Sequence, residues 1–355
     1  YAIEIYNRDG SQRLGAASAA VDWTPVLEWA RFTATRHDAG RPVTLADARG
    51  RIEPVWNEKS GEPYVGGLKA IVLEGGQPPA ELPIPLDFFK NLAQMAAASL
   101  VKQGQLAPGE KFQYAVCAVE APEEPPAEDP QPGLSFSVEP VAKVLDVAER
   151  SLDELLDAST AYQAVDEQEM PVFIPRGVLE EVVGLTQKAG CVETGGILIG
   201  HLRRDSSRPE VFLEVTAQIP ARYVEQNATR LTFTKETWAA VDDAIALRRE
   251  NEMYLGWWHS HPAKEWCKEC PPEKKAQCQL TGDFFSLYDV ALHRTVFSRA
   301  YSIALVISDS ERGGLGWGLF GWRYGQMGPR GFHISGTGST DRVAAVSVSH
   351  GNREE

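Results

Sequence analysis

The chain has 355 residues, of which 43% are hydrophobic and 24% charged, so it is long enough to bury two ordinary cores. It contains no run of eighteen or more apolar residues, and its first residues lack the layout of a secretion signal. Five cysteines are too few for a disulfide scaffold. We therefore expect a globular cytoplasmic protein without a membrane span.

The net charge of −14 is unevenly placed along the chain. Residues 123–170 carry 2 basic and 13 acidic side chains, whereas the segments before and after them are nearly balanced. A nucleic-acid-binding protein would concentrate Lys and Arg on one face or one arm, and no segment does so. Neither nucleic acid nor a membrane is predicted as a partner.

Residues 1–122 mix short strand patterns with helical ones, which predicts a small N-terminal α+β domain. Its role stays open because it carries no recognisable chemical signature. Either Asp22 or Asp87 could cap the helix that follows it, and Cys117 in an apolar strand is predicted to be a buried thiol. The strand patterns are AIEIY, GGLKAIVLEGG and EKFQYAVCAVEA, and the helical ones are DWTPVLEWARFTATR and PLDFFKNLAQMAAASLVKQ.

Residues 123–169 are interpreted as an acidic Pro/Glu linker followed by an amphipathic helix. The stretch EAPEEPPAEDPQPG cannot bury apolar surface and predicts a semi-rigid, extended connection. In VAKVLDVAERSLDELLDA, apolar residues recur at helical spacing opposite an acidic face. We interpret that face as solvated, with recruitment of a basic partner as the alternative. The apolar positions are Val141, Val144, Leu145, Ala148, Leu152, Leu155 and Leu156.

From Met170 the pattern becomes more regular and predicts an α/β sandwich with one central sheet. PVFIPRGVLEEVVGLTQKA reads as a strand and a helix, and GGILIGHL and EVFLEVTAQI as strands joined by a polar turn. MYLGWW is a strand that leads into HSHP, and a helix and the strands YSIALVIS and GLGWGLFGWRY follow. KETWAAVDDAIALRREN is predicted to be a helix with these residues inward: Trp238, Val241, Ile245 and Ala246.

A candidate hydrolytic site follows the MYLGWW strand. Alternate side chains of a strand face the same way, so His259 and His261 can present two imidazoles to one zinc ion. Downstream, Ser286 and Asp289 have the i, i+3 spacing that places a hydroxyl and a carboxylate on one helix face. Upstream, Glu193 precedes the GGILIG strand. Two histidines, one aspartate, a position open to water and a glutamate that binds no metal form a hydrolytic zinc site.

This order of motifs resembles the JAMM motif of MPN-type metalloproteases, the deubiquitinases of the proteasome lid, the signalosome and the AMSH group, with bacterial relatives. The resemblance covers residues 170–325 and implies an MPN, cytidine-deaminase-like α/β fold. It also implies roles for the motif residues: His259, His261 and Asp289 would bind the catalytic zinc, Glu193 would be the general acid/base, and Ser286 would stabilise the oxyanion.

The chain departs from the family pattern in residues 262–285, twenty-four residues that lengthen the usual spacing before the serine. This insertion contains Cys267, Cys270 and Cys278, whose spacing is typical of a zinc site that orders a polar loop. We predict a second, structural zinc there and expect the insertion to shape substrate access. Three reduced cysteines in a flexible loop are the alternative. The fourth ligand stays open, with three candidates: Cys191, His201 and His293.

The resemblance implies hydrolysis of the bond after the C-terminal Gly of a ubiquitin-like protein. Our leading interpretation is an isopeptidase of a bacterial ubiquitin-like conjugation system linked to phage defence, in which residues 1–122 recruit the modifier or its target. A protease that processes a sulfur-carrier precursor and a non-catalytic MPN scaffold are the alternatives. Residues 326–355 are expected to form a disordered tail, and the oligomeric state stays open.

Overall fold

The computed structural model describes residues 1–45, 47–73, 77–119, 143–145, 147–221, 224–227, 230–271, 284–309 and 315–336. The predicted linker at 120–133 and Cys278 of the insertion lie outside these ranges. Within them, no helix has both the length and the apolar character needed to cross a membrane.

The N-terminal part contains two three-stranded antiparallel sheets and two helices. Its predicted helices and strands are present, and β2, β3 and β5 add to them. Cys117 is buried, as predicted. Asp22 accepts a hydrogen bond from the Thr24 N–H at the start of α1. The elements are β1 (Ala2–Tyr6), β2 (Arg13–Ser18), α1 (Thr24–Arg36), β3 (Arg49–Trp56), β4 (Val65–Leu73), β5 (Ala80–Pro85), a 3-10 turn (Leu86–Phe89), α2 (Lys90–Lys102) and β6 (Gln113–Cys117).

A mixed sheet of ten strands forms the centre of the rest of the chain, in agreement with the predicted α/β class. Its order is β17-β16-β15-β14-β10-β11-β9-β18-β8, with β7 beside β10, while β12 and β13 pair separately. The elements are β7 (Glu149–Arg150), α3 (Leu152–Asp157), β8 (Ser159–Tyr162), β9 (Val172–Pro175), α4 (Arg176–Ala189), β10 (Gly195–Asp205), β11 (Val211–Pro220), β12 (Val224–Asn227), β13 (Arg230–Phe233), α5 (Lys235–Arg248), β14 (Met253–His261), α6 (Ala263–Trp266), α7 (Leu287–Val296), β15 (Ile303–Asp309), β16 (Leu315–Arg323), β17 (Gln326–Arg330) and β18 (Phe332–Ser335).

Strand β14 is buried on both faces of this sheet. Trp257 packs in the apolar cluster on one face and Trp258 in the larger cluster on the other. The indole of Trp258 passes over Gly196 of β10, where a Cβ atom would lie 2.6 Å from the indole nitrogen and 2.4 Å from the Ile219 carbonyl oxygen. Only glycine fits at this crossing, which accounts for the second glycine of the GGILIG strand.

The predicted inward face of α5 is only partly correct. Val241 is buried, and Trp238 and Ile245 are partly buried against the same cluster. Ala246, however, is exposed to solvent. The prediction that Ala246 faces inward was wrong, because the buried stripe of α5 is too narrow to include this residue.

The predicted amphipathic helix over residues 141–158 is wrong for its described part before Ser151. Val144 forms a bridge with Thr44, and β7 pairs in parallel with β10, so this segment is extended. Tertiary hydrogen bonds override the helical pattern here. The helix α3 begins only after Ser151, whose side chain accepts a hydrogen bond from the Glu154 N–H as an N-cap.

The prediction of a disordered tail from residue 326 is wrong for residues 326–336. β17 extends the sheet at one edge, and β18 lies between β9 and β8 near the other. Phe332 is fully buried there. Polar and glycine-rich composition concealed a short alternating strand, and residues 337–355 lie outside the described ranges.

Helix α1 packs directly against the large sheet. Phe32 belongs to the same apolar cluster as Met170 and Tyr301. The buried guanidinium of Arg36 donates to both carboxylate oxygens of Glu210, at 2.7 and 3.0 Å, and to the Gln168 carbonyl at 3.0 Å. The separate domains predicted for residues 1–122 and 170–325 stay a prediction, but residues from both ranges share one core.

Candidate metal centre and active site

The end of β14 brings the two histidines of the HSHP motif together. Backbone pairing with β10 on one side and with β15 on the other fixes this strand, with Gly195 opposite His259 and Ser308 opposite His261. Both imidazoles are almost completely buried, and their Nε2 atoms lie 2.9 Å apart. The two histidines therefore face the same side of the strand, as the alternation of the motif predicts.

Asp289 on α7 completes a cluster of three potential metal ligands. Its Oδ1 lies 3.3 Å from Nε2 of His259, and its Oδ2 lies 3.7 Å from Nε2 of His261. One ligand atom from each residue falls within 4.8 Å of the others. Two imidazole nitrogens and a carboxylate oxygen that converge in this way fit the donor set of a catalytic zinc site.

The pKa values of His261 and Asp289 favour binding of a cation by this cluster. Burial lowers the pKa of His261 to about 4, which leaves its imidazole neutral and able to act as a ligand. Burial opposes ionisation of Asp289, but the attraction of His259 and hydrogen bonds from His259, His261 and Ser286 outweigh it and hold the pKa of Asp289 below its usual range. The carboxylate thus stays charged.

Ser286 is the N-cap of α7. Its Oγ accepts a hydrogen bond from the Asp289 N–H at 3.1 Å, and the Ser286 N–H donates to Oδ2 of Asp289 at 2.7 Å. This reciprocal capping box starts the helix and also aims the aspartate at the histidines. The role of Ser286 in oxyanion stabilisation stays a prediction, since the hydroxyl oxygen is seen as a cap.

Glu193 lies in the turn between α4 and β10 and is only 5% exposed. Burial, followed by the negative charge of Asp289, raises the pKa of Glu193 to about 8. The glutamate is therefore close enough to the cluster to respond to Asp289. A carboxyl group that titrates near neutral pH can both take up and release a proton during hydrolysis.

Aromatic side chains surround the two histidines. Trp257 stacks on His259, with ring centroids 4.4 Å apart, and its indole N–H donates to Nδ1 of His293 at 3.0 Å. Phe284 stacks on His261 at 4.4 Å. Sequence reasoning missed these contacts, although the position of Trp257 two residues before His259 on a strand signals a shared face.

The structure describes two of the three cysteines of the proposed second zinc site. Cys267 is buried and Cys270 partly buried, and the Cys270 N–H donates to the Cys267 carbonyl in a tight turn. Of the candidate fourth ligands, Cys191 is exposed, and His293 uses Nδ1 to accept from Trp257. Within the described ranges, the two histidines and Asp289 are the one group of three converging ligands.

Part of this region matches a known protein family. Residues 175–265 match the family described as prokaryotic homologs of the JAB domain. The part of the chain that resembles a JAB domain includes Glu193, His259 and His261, and it ends inside the insertion, before Ser286 and Asp289.

Two individual proteins resemble parts of the chain. A protein of Enterobacter hormaechei subsp. hoffmannii named CD-NTase/cGAS isopeptidase is 34% identical over 91 residues, which is 26% of this chain and 48% of that protein. The chain thus spans about half the length of this curated relative. A solution structure from Desulfitobacterium hafniense is 20% identical, with a TM-score of 0.31, and covers 45% of this chain and 89% of its own.

Proposed function

We propose that the JAB domain is a zinc-dependent isopeptidase that cleaves the bond after the C-terminal Gly of a ubiquitin-like modifier. The observation that carries this proposal is the convergence of His259, His261 and Asp289, with the buried Glu193 on the turn before β10, the strand that pairs with β14. His259 and His261 come from a strand and Asp289 from a helix about thirty residues further along the chain, and this convergence of distant residues supports the proposal.

The three converging ligands would hold the zinc, which when bound lowers the pKa of its water and polarises the scissile carbonyl. Glu193 would accept the proton of the attacking water and later donate it to the leaving amine. The capping box of α7 keeps Asp289 directed at the histidines, and Trp257 supports His259 by stacking.

The isopeptidase-named relative favours removal of a modifier over processing of a sulfur-carrier precursor. Its name refers to CD-NTase and cGAS enzymes. We therefore propose that the substrate of this chain is a conjugate between a ubiquitin-like modifier and a protein of the CD-NTase class, within a bacterial defence system. Removal of a C-terminal extension from a precursor of the modifier would use the same chemistry at the same site.

The deciding experiment compares the intact chain with Glu193→Gln on a ubiquitin-like protein that carries a C-terminal extension. Zinc content is measured for both, and Glu181→Gln on the exposed surface of α4 serves as the control. We expect the Glu193 variant to keep its zinc and lose activity by about 10²-fold or more, as for loss of a general acid/base. Zinc-loaded protein that leaves both the extension and a CD-NTase conjugate intact would favour the scaffold alternative.

For the insertion, we propose a second zinc bound by Cys267, Cys270 and Cys278. The buried Cys267 and the turn to Cys270 support this, because C-x-x-C thiolates brought close by a turn are a common half of a structural site. We expect Cys267→Ser and His259→Ala each to lose one zinc per chain, and the double variant to lose both. Measurement of the metal content by elemental analysis tests this, and an unchanged content in Cys267→Ser would refute it.

A further inference from the structure

The residue between the two histidines faces the opposite side of β14 and makes a contact that the motif does not explain. Ser260 is 2% exposed. Its Oγ accepts a hydrogen bond from the Thr194 N–H at 3.0 Å, and its own N–H donates to the Thr194 carbonyl at 2.8 Å. These bonds extend the pairing of β10 and β14 by one residue beyond the pair of Gly195 and His259.

This contact has a direct geometric effect on Glu193. The Thr194 N–H belongs to the same planar peptide unit as the Glu193 carbonyl. When the Ser260 hydroxyl holds that N–H, it fixes the rotation about the bond between Cα and the carbonyl carbon of Glu193. The backbone direction from which the glutamate side chain departs is then set by the strand that carries both histidines.

We propose that Ser260 is a positioning residue, which fixes Glu193 relative to the metal ligands through the Thr194 peptide. The inference rests on the proposed function, because it assigns Glu193 a task that depends on its placement. A displacement of about 1 Å at a reacting group can cost 10²-fold in rate. Ser260, the middle residue of the H-x-H motif, thus holds the Glu193 turn from one face of the strand, whereas the two histidines lie on the other face.

The chain offers a matched control for this hydroxyl. Ser308 lies on β15, directly opposite His261 in the parallel pairing, and is also 2% exposed. Its Oγ has no hydrogen-bond partner among the residues that the structure describes. Ser308→Ala therefore removes a buried hydroxyl beside the same site without removing a contact to the Glu193 turn.

The test compares Ser260→Ala, Ser260→Thr and Ser308→Ala in the full chain by two measurements. Hydrogen exchange of the Thr194 amide in metal-free protein reports the contact itself, and hydrolysis of the extended ubiquitin-like protein reports its consequence. We expect Ser260→Ala to lose at least tenfold in Thr194 protection and at least tenfold in kcat, with KM and zinc content unchanged. Ser260→Thr, which keeps the hydroxyl, and Ser308→Ala should both behave like the unaltered chain.

Several outcomes would overturn the proposal. Unchanged Thr194 protection in Ser260→Ala would mean that the hydroxyl does not hold the turn. A full kcat despite lost protection, or a loss of zinc, would mean that it does not act through Glu193. Exchange at the β10 amides monitors the folding of each variant. If the unaltered chain itself fails to cleave, the proposed function and the catalytic part of this inference fall together, while the exchange data still decide whether Ser260 holds the turn.

Discussion

Glu193 combines burial with a neighbouring negative charge, and both make its ionised form less favourable. In the unfolded chain a glutamate ionises near pH 4.5, whereas in the folded protein Glu193 keeps its proton to about pH 8. The raised pKa of Glu193 therefore lowers the free energy of unfolding once the pH exceeds about 4.5. A bound cation would reverse this by favouring the carboxylate.

This gives a prediction about pH and stability in metal-free protein. Below about pH 4.5 Glu193 is protonated in both states and does not affect unfolding. Between about pH 4.5 and 8 only the unfolded state releases the proton, so the free energy of unfolding falls as pH rises, by up to about 1.4 kcal/mol per pH unit. Glu193→Gln should thus become more stable than the unaltered chain on going from pH 5 to pH 8.

Urea denaturation of the metal-free protein at several pH values measures this difference. The exposed Glu181→Gln variant should follow the unaltered chain at every pH. A difference between Glu193→Gln and the unaltered chain that stays constant with pH would contradict the raised pKa.

At the residue scale, the sequence identifies the candidate ligands but misses the residues that hold them in place. His259, His261 and Asp289 can be found because metal chemistry restricts residue type and spacing, and Glu193 can be found by its place before the GGILIG strand. Sequence reasoning missed Ser260 and also the capping role of Ser286, although Ser-x-x-Asp at the start of a helix is a capping-box pattern. Their function lies in hydrogen bonds to the backbone, which serine makes in many settings and which depend on how two distant segments meet.

At the scale of elements, α7 links folding to the site. It begins at the capping box of Ser286 and Asp289, so the first turn of the helix also places the candidate third ligand. The same first turn carries Leu287 and Tyr288, which are 87% and 71% exposed. Large apolar side chains at such exposure beside a buried site are available for contact with a macromolecular substrate.

Loss of the cap should be measurable as stability. Ser286→Ala removes the acceptor of the Asp289 N–H, and we expect the free energy of unfolding of metal-free protein to fall by about 1 kcal/mol. Ser286→Thr keeps a capping hydroxyl and should lose less. Denaturant titration decides the matter, and an unchanged midpoint in the alanine variant would show that the cap does not stabilise α7.

The exposed pair on α7 should contribute to substrate binding. We expect Leu287→Ser combined with Tyr288→Ser to raise KM for the extended ubiquitin-like protein several-fold with little change in kcat, since a contact made equally in the ground and transition states changes binding alone. Leu247→Ser on α5 is the control, because that side chain is 81% exposed but lies on another helix. An equal effect of both substitutions on steady-state kinetics would refute a specific role for α7.

Element patterns predict most of the large sheet and fail where distant segments decide the local conformation. The strands and helices from Met170 to β16 follow clear periodicities. Residues 143–145 and 149–150 carry a helical pattern, yet they are extended because Val43 and β10 supply backbone partners. β18 is too short to stand out in a polar segment, and its place between β9 and β8 depends on contacts more than 150 residues away in the chain.

At the scale of the whole molecule, the N-terminal elements and the large sheet are joined by buried polar contacts. Arg36 is 4% exposed and its charge is matched by Glu210 across the interface. Removal of one partner of a buried ion pair leaves the other charge uncompensated.

Glu210→Gln should therefore destabilise the protein by roughly 3 kcal/mol, the lower end of the range for such pairs. Thermal and denaturant unfolding measure it, and both parts of the chain should unfold in one transition. Glu53→Gln breaks the exposed pair with Arg51 and should change stability by less than about 1 kcal/mol. Similar effects of the two substitutions would show that the interface pair is not buried in solution.

The position of β18 also sets an order of events during synthesis on the ribosome. β8 pairs only with β18 among the described strands, and β18 is translated some 170 residues after it. At about 5 to 20 residues per second, β8 waits roughly ten seconds or more for its partner. β10, β14, α7 and β15 emerge within that interval. The nascent chain can therefore bring His259, His261 and Asp289 together before the far edge of its sheet is closed.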